Sequence, residues 1–266
     1  MSQPSSLSAI QVEGLRLQMS GETILENVSF EVGKGEFFSI IGPNGAGKTS
    51  LIKCLGRIHN HWTGRVYING QDLQAFSQRD LARFLSYVPQ AEGRTLPFSV
   101  FEFVLMGRYP HLSPFSTISI KDREVVTSIL DLAGLTEFSD RRMDTLSGGE
   151  RQMVFIAAAL AQGAETLLLD EPTAFLDYRH QVQVSELLRR LNKENKITVI
   201  SISHDINAAC AQSTRVMAMK DGTCLFVETP ENTMNSDRLQ GLYDTSFLIA
   251  DHPAGMGRIA LMEKQA

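Results

Sequence analysis

The sequence predicts an α/β fold with three parts: a mostly parallel sheet core, an antiparallel N-terminal β region and a helical insertion. Two observations carry this. After Ser147, apolar strand-like runs alternate with helix-like stretches, the pattern of a parallel sheet covered on both faces. Before it, short alternating runs at 10–17, 24–32 and 37–41 are separated by turns at Gly21 and Gly33-Lys34-Gly35.

A helix is expected from about 48 to 55, then short strands at 64–68 and 84–88, with Gly70 in the turn after the first. From about Gln90 to Thr145 the strand signals fade. Helical stretches stand near 100–106 and 121–132, joined by the Pro-rich loop Tyr109-Pro110-His111-Leu112-Ser113-Pro114. A helix follows Ser147, then a strand at 166–169, a second helix, a strand at 197–202 and another near Val216. The tail reads as a loop with one or two helical turns over 227–241. The whole chain, 1–266, is thus expected to be one domain: a core of about 8–89 and 146–225, a helical subdomain of about 90–145, and a short tail of about 226–266.

Composition narrows the class. The 266 residues are 43% hydrophobic and 21% charged, ordinary for a globular protein. A formal charge of -5 offers no general attraction to nucleic acid or anionic lipid, although a local basic patch stays open. Cys54, Cys210 and Cys224 lie far apart without metal-ligand spacing and read as buried small hydrophobes in a reducing compartment. His59-Asn60-His61 reads as a polar loop. The N-terminal Met1-Ser2-Gln3-Pro4-Ser5-Ser6 lacks the pattern of a secretory signal. No run approaches the roughly 18 apolar residues of a membrane span, and the apolar run 153–161 reads as a buried helix.

Gly42-Pro43-Asn44-Gly45-Ala46-Gly47-Lys48-Thr49 follows an apolar strand and opens a helix. In that context the glycines let backbone N–H groups converge on phosphate oxygens, and the helix dipole favours the anion. Lys48 would neutralise β/γ charge and the Thr49 hydroxyl would ligate Mg²⁺. The expected nucleotide set is Gly42, Pro43, Asn44, Gly45, Ala46, Gly47, Lys48, Thr49 and Ser50. Thr166-Leu167-Leu168-Leu169 ends in Asp170-Glu171. Because side chains alternate along a strand, the two acids are expected to play different roles, Asp170 holding magnesium and Glu171 serving as the base for the attacking water. His204 closes the apolar run 199–203 and is either a structural donor or a donor to the γ-phosphate. Gln90 either reaches metal or water or caps a loop.

Together these motifs resemble the nucleotide-binding subunit of an ATP-binding-cassette (ABC) transporter, a P-loop NTPase. The phosphate loop at 42–49, Gln90, Leu146-Ser147-Gly148-Gly149-Glu150, the strand 166–171, Asp177 and His204 occur in family order. The resemblance implies ATP and Mg²⁺ as cofactors, with Thr49, Gln90 and Asp170 toward the metal. It implies a homodimer in which Ser147, Gly148 and Gly149 grip the nucleotide held by the partner. It also puts Met19 at the position of the usual adenine-stacking aromatic. Glu150 stands where the family commonly has glutamine, and is expected to point away from phosphate.

Residues 103–111, Leu176-Asp177-Tyr178-Arg179-His180-Gln181 and 201–205 resemble cassettes of importers for iron-siderophore, haem, cobalamin and related solutes. Asp251-His252-Pro253 resembles their closing segment. That resemblance implies integral-membrane permease subunits, a periplasmic or extracellular solute-binding protein, and a peripheral place on the cytoplasmic face of the inner membrane. Phe98, Phe101, Met106 and Tyr109 are either permease-groove residues or local core. The alternative is a non-transport cassette ATPase acting on nucleic acid or ribosomes. Its relatives carry coiled-coil insertions, zinc modules or fused cassettes, and none is visible here, so no nucleic-acid partner is expected. A P-loop kinase leaves Ser147-Gly148-Gly149 unexplained.

Overall fold

The computed structural model describes residues 8–90, 97–112, 117–253, 255 and 257–263. β1 (Ser8–Met19) and β2 (Glu22–Gly33) form a long antiparallel hairpin. Val28, Phe30 and Val32 are buried while the residues between them are exposed, because one face of this ribbon meets the core. β3 (Phe37–Ile41), buried throughout, leads through 42–47 into α1 (Lys48–Leu55). β4 (Trp62–Ile68) and β5 (Gln71–Asp72) complete an antiparallel sheet of order β2-β1-β4-β5.

α2 (Gln78–Phe84) starts at Ser77, whose hydroxyl accepts from the Asp80 amide, and runs into β6 (Leu85–Val88). Phe84 therefore ends a helix, whereas the sequence reading began a strand there. The helix that Ser77 caps at its start runs to Phe84, and the backbone becomes extended and pairs with its neighbouring strand only from Leu85.

The insertion supplies α3 (Val100–Met106) and α4 (Ile120–Leu132), each started by a serine capping box. Tyr109–His111 form a short 3₁₀ turn whose Pro110 carbonyl accepts from Arg79 Nε at 3.0 Å and Arg83 Nη2 at 3.2 Å. Ser113 and Pro114 of that loop lie outside the described residues.

α5 (Gly148–Ala161), β7 (Thr166–Asp170), α6 (Tyr178–Asn195), β8 (Thr198–Ile202), α7 (Ile206–Gln212), β9 (Arg215–Lys220) and β10 (Thr223–Glu228) follow. The second sheet has the order β10-β9-β3-β8-β7-β6, parallel except for the β9–β10 pair.

The tail is richer than the loop and helical turns read from sequence. It holds α8 (Pro230–Thr233), α9 (Ser236–Tyr243) and a hairpin of β11 (Phe247–Asp251) and β12 (Arg258–Met262). Such short elements carry too few periods to show in the apolar pattern, and their packing on Ile41, Val216 and Ala218 orders them.

One face of the parallel sheet (Phe38, Ile40, Leu168, Ile200) packs on α1 and the antiparallel sheet. The other (Phe37, Leu167, Leu169, Val199) packs on α3 to α6, so the insertion shares its core with the sheet. Each fully buried Leu or Ile contributes about 1.5–3 kcal/mol. Cys54 and Cys210 are buried free thiols, and burial pushes both up to about 12. Among the described residues no helix is long and apolar enough to cross a membrane.

Candidate nucleotide site

Parallel β3, β8, β7 and β6 lie side by side, so the residues after their carboxyl ends collect at one rim. β3 delivers the loop 42–47, β8 delivers His204, β7 delivers Asp170 and Glu171, and β6 delivers Gln90. Residues 44–50, with Ile24 and Glu171, line a cavity of about 310 Å³. Two glycines make this loop possible. Gly42 and Gly47 have φ of +148° and +90°, and a Cβ would fall 2.1 Å from the Met219 carbonyl oxygen at the first and 2.8 Å from Leu25 Cδ2 at the second.

Lys48 is buried, and its Nζ donates to the carbonyls of Gly42 at 2.7 Å and Pro43 at 2.8 Å. Gly42 and Pro43 thus hold the lysine, while Asn44 to Ser50 face the cavity. Burial lowers the Lys48 pKa, and the carboxylates of Glu171 and Asp170 partly oppose that.

Asp170 is buried at the end of β7, and its Oδ1 accepts from the Thr49 hydroxyl at 2.9 Å. The neighbouring acids part company for a reason other than strand alternation. β7 ends at Asp170, and Glu171 takes a left-handed φ of +52°, which swings its side chain out of the strand. Glu171 then meets the two other residues expected at the chemistry. His204 Nε2 is hydrogen-bonded to Glu171 Oε1, and Gln90 Nε2 donates to Glu171 Oε2 at 3.4 Å.

Met19 sits apart from this cluster, 42% exposed at the end of β1 opposite Glu22, and does not line the cavity. Ser147, Gly148 and Gly149 do not line it either. They form the start of α5, where Ser147 caps the helix: its hydroxyl accepts from the Glu150 amide at 3.3 Å, leaving its own proton to donate.

The direction of Glu150 follows. Its Oε2 accepts from the Ser147 amide at 2.7 Å, and its Oε1 lies 3.8 Å from Arg141. Burial works to raise this carboxyl, but the Ser147 hydrogen bonds, with Arg141 and His180 nearby, together hold it below the usual range. The acid is turned back onto the Ser147 amide, closing the cap. The Ser147-x-x-Glu150 spacing is itself a capping-box signal that the sequence reading passed over.

Gly149 is set by packing. A Cβ there would lie 2.2 Å from Cγ of His180, whose ring and amide are both held by Asp177 Oδ1 at 2.9 Å. The segment after Glu171 and the start of α5 are therefore in direct mechanical contact.

Glu150→Ala is expected to cost about 1 kcal/mol, roughly 2–4 °C in Tm for a chain of this size. Glu150→Gln, which keeps an acceptor, should cost less. Because the folded carboxyl is depressed, its contribution is present above the unfolded carboxylate pKa and fades as pH falls through the folded one. Calorimetry at pH 7 and pH 4 checks this, and an alanine variant as stable as the parent at pH 7 removes the cap from the argument.

The family model described as "ABC transporter" matches residues 25–174. The chain is 36% identical over 247 residues to the iron(3+)-hydroxamate import ATP-binding protein FhuC of Bacillus subtilis (strain 168), covering 93% of this chain and 92% of that one. It is 35% identical over 248 residues to the ferric enterobactin transport ATP-binding protein FepC of Escherichia coli (strain K12), covering 93% and 92%.

Among solved structures, an inward-facing protein assigned to the metal-chelate type of ABC transporter superposes with a TM-score of 0.84 at 26% identity, over 97% of this chain and 98% of that one. The dimeric post-hydrolysis cassette MJ0796, bound to ADP and Pi, superposes with a TM-score of 0.71 at 28% identity, over 83% and 98%. A phosphate loop, an acidic strand end and a capped glycine pair held on one parallel sheet, matched along nearly the whole chain, make this protein a member of the ABC transporter family, an ATP-binding cassette.

Proposed function

We propose that the chain is the ATP-hydrolysing motor of an importer for a metal chelate of the ferric-siderophore, haem or cobalamin class. The observation that carries the site reading is the meeting of Gln90 and His204 on the Glu171 carboxylate, beside the cavity of the 44–50 loop. Glu171 takes the proton of the attacking water, His204 holds the γ-phosphate end, and Gln90 links water and metal. The relatives named for import of iron(3+)-hydroxamate and for transport of ferric enterobactin support the solute class.

The donor set fits magnesium. The Thr49 hydroxyl, the Asp170 carboxylate and the Gln90 amide are hard oxygen donors, too few for a protein-only cage, and Mg²⁺ characteristically completes its shell with water and phosphate oxygens. When bound, the ion neutralises charge on the phosphates. Lys48 and the 44–50 backbone hold the nucleotide.

Ser147, Gly148 and Gly149 lie outside the chain's own cavity, which supports their use on the nucleotide of a second copy. Met106 and Tyr109, 46% and 76% exposed, suit a groove for a cytoplasmic helix of the permease, whereas Phe101 is half-buried against the core. The motor then works as a homodimer on the cytoplasmic face of the membrane, and a solute-binding protein supplies the permease from the other side. Adenine stacking falls to Met19, so discrimination between ATP and GTP is expected to be weak.

Cells deleted for this chain should lose uptake of a radiolabelled ferric siderophore, haem or cobalamin and regain it with the intact gene. Detergent extracts should yield a multi-span permease on affinity purification. Unchanged uptake of all three classes, with DNA or ribosomes recovered in place of a permease, would sink the importer reading.

A further inference from the structure

We infer that Tyr87 is a positioning residue that sets the orientation of the Asp170 carboxylate, and through it the grip of the site on a divalent cation. The inference rests on the nucleotide–metal reading above and adds a residue to it.

Asp170 has both carboxylate oxygens engaged by hydroxyl groups. Thr49 donates to Oδ1 at 2.9 Å and Tyr87 donates to Oδ2 at 3.2 Å. Each partner comes from a different element. Thr49 stands in the first turn of α1, and Tyr87 stands on β6, the edge strand beside β7. In the parallel pairing Tyr87 lies opposite Leu168, and Leu168 and Asp170 share a face of β7 because side chains alternate. The tyrosine reaches along that face to the acid, and its ring packs against the core that holds Leu168.

Two donors at the two oxygens fix the plane of a carboxylate that one donor would leave free to turn about its terminal torsion. A third residue at that site, Gln90, follows Tyr87 by three positions on the same strand exit, so the strand that orients Asp170 also delivers Gln90. Partners that orient a metal-facing carboxylate act on metal affinity, typically by about tenfold or more when removed. Tyr87 has no charge to give and does not line the cavity of the 44–50 loop. Its effect is therefore expected on the metal and not on the nucleotide.

The test uses the purified full chain with Mn²⁺ as the probe, bound in the presence of ADP and read by electron paramagnetic resonance. Tyr87→Phe removes only the hydroxyl. It should weaken Mn²⁺ binding about tenfold, leave ADP affinity in EDTA within about twofold, and leave Tm nearly unchanged. Tyr87→Leu also removes the ring; it should show the same metal loss with an added fall in Tm.

Mn²⁺ affinity in Tyr87→Phe equal to that of the parent overturns the inference. So does an equal loss of ADP affinity in EDTA, which marks a general packing role. A parent chain that binds ADP but no Mn²⁺ overturns the metal reading itself along with it, a result separable from the first two because it appears before any substitution.

Discussion

Glu171→Gln is expected to bind ATP as well as the parent and to lose turnover by about 10²–10⁴-fold. The side chain keeps its volume and can still reach His204 and Gln90, the two groups that meet it in the structure. It can no longer accept a proton from water. Nucleotide binding survives because Lys48 and the loop 44–50 lie on other elements, and the Lys48 amine is anchored by the Gly42 and Pro43 carbonyls rather than by Glu171. With hydrolysis blocked, the closed state has no exit, so ATP should hold the variant as a dimer on size-exclusion chromatography while the parent returns to its resting state. Phosphate release and column profile check both halves. Hydrolysis at the parental rate would remove Glu171 from the role of base.

The second expectation concerns which chain supplies the signature residues, Ser147, Gly148 and Gly149. Lys48→Ala removes the proposed phosphate grip, and Gly149→Asp places both a side chain and a negative charge at the start of α5, where even a Cβ meets His180. Each variant alone should fall about 100-fold or more in hydrolysis, the scale of losing one anion-stabilising element.

Mixing them discriminates. If the signature acts on the partner's nucleotide, a mixed dimer contains one site with both defects and one with neither. Activity should then rise well above either variant alone, toward the output of a single intact site. If the signature acts on its own chain, every site carries one defect and mixing restores nothing. Titrating one variant against the other at fixed total protein, with phosphate release as readout, separates the two outcomes.

The legibility of the site differs residue by residue. The loop 42–49 could be read as a tight turn opening a helix because its geometry is local: the glycines and the Lys48 contacts to Gly42 and Pro43 lie within one strand–turn–helix segment. The acids at 170 and 171 were also visible as a pair at a strand end. Their divergence was expected too, but from pleat alternation, whereas in the structure it comes with a left-handed residue at Glu171. Glu150 could have been oriented from the Ser147-x-x-Glu150 spacing alone, because a capping box is a contact between near neighbours. Tyr87 could not. As a residue of the strand 84–88 it carried no motif, and its contact needs the register of β6 against β7. The tail hairpin was likewise hidden, because two five-residue strands show no pattern until they pair.

By itself the sequence determined the long strands and helices of the core, the glycine-rich turn before α1 and the capped start of α5, because each depends on residues within a turn or two of one another. Tertiary structure alone decided who meets whom at the rim. Thr49 and Asp170 are 121 residues apart, Tyr87 and Asp170 83, and Gln90 and Glu171 81. They touch because β3, β8, β7 and β6 stand side by side in an order the chain does not follow. Packing both faces of that sheet against α1 and against α3 to α6 is what holds the order, and with it the chemistry.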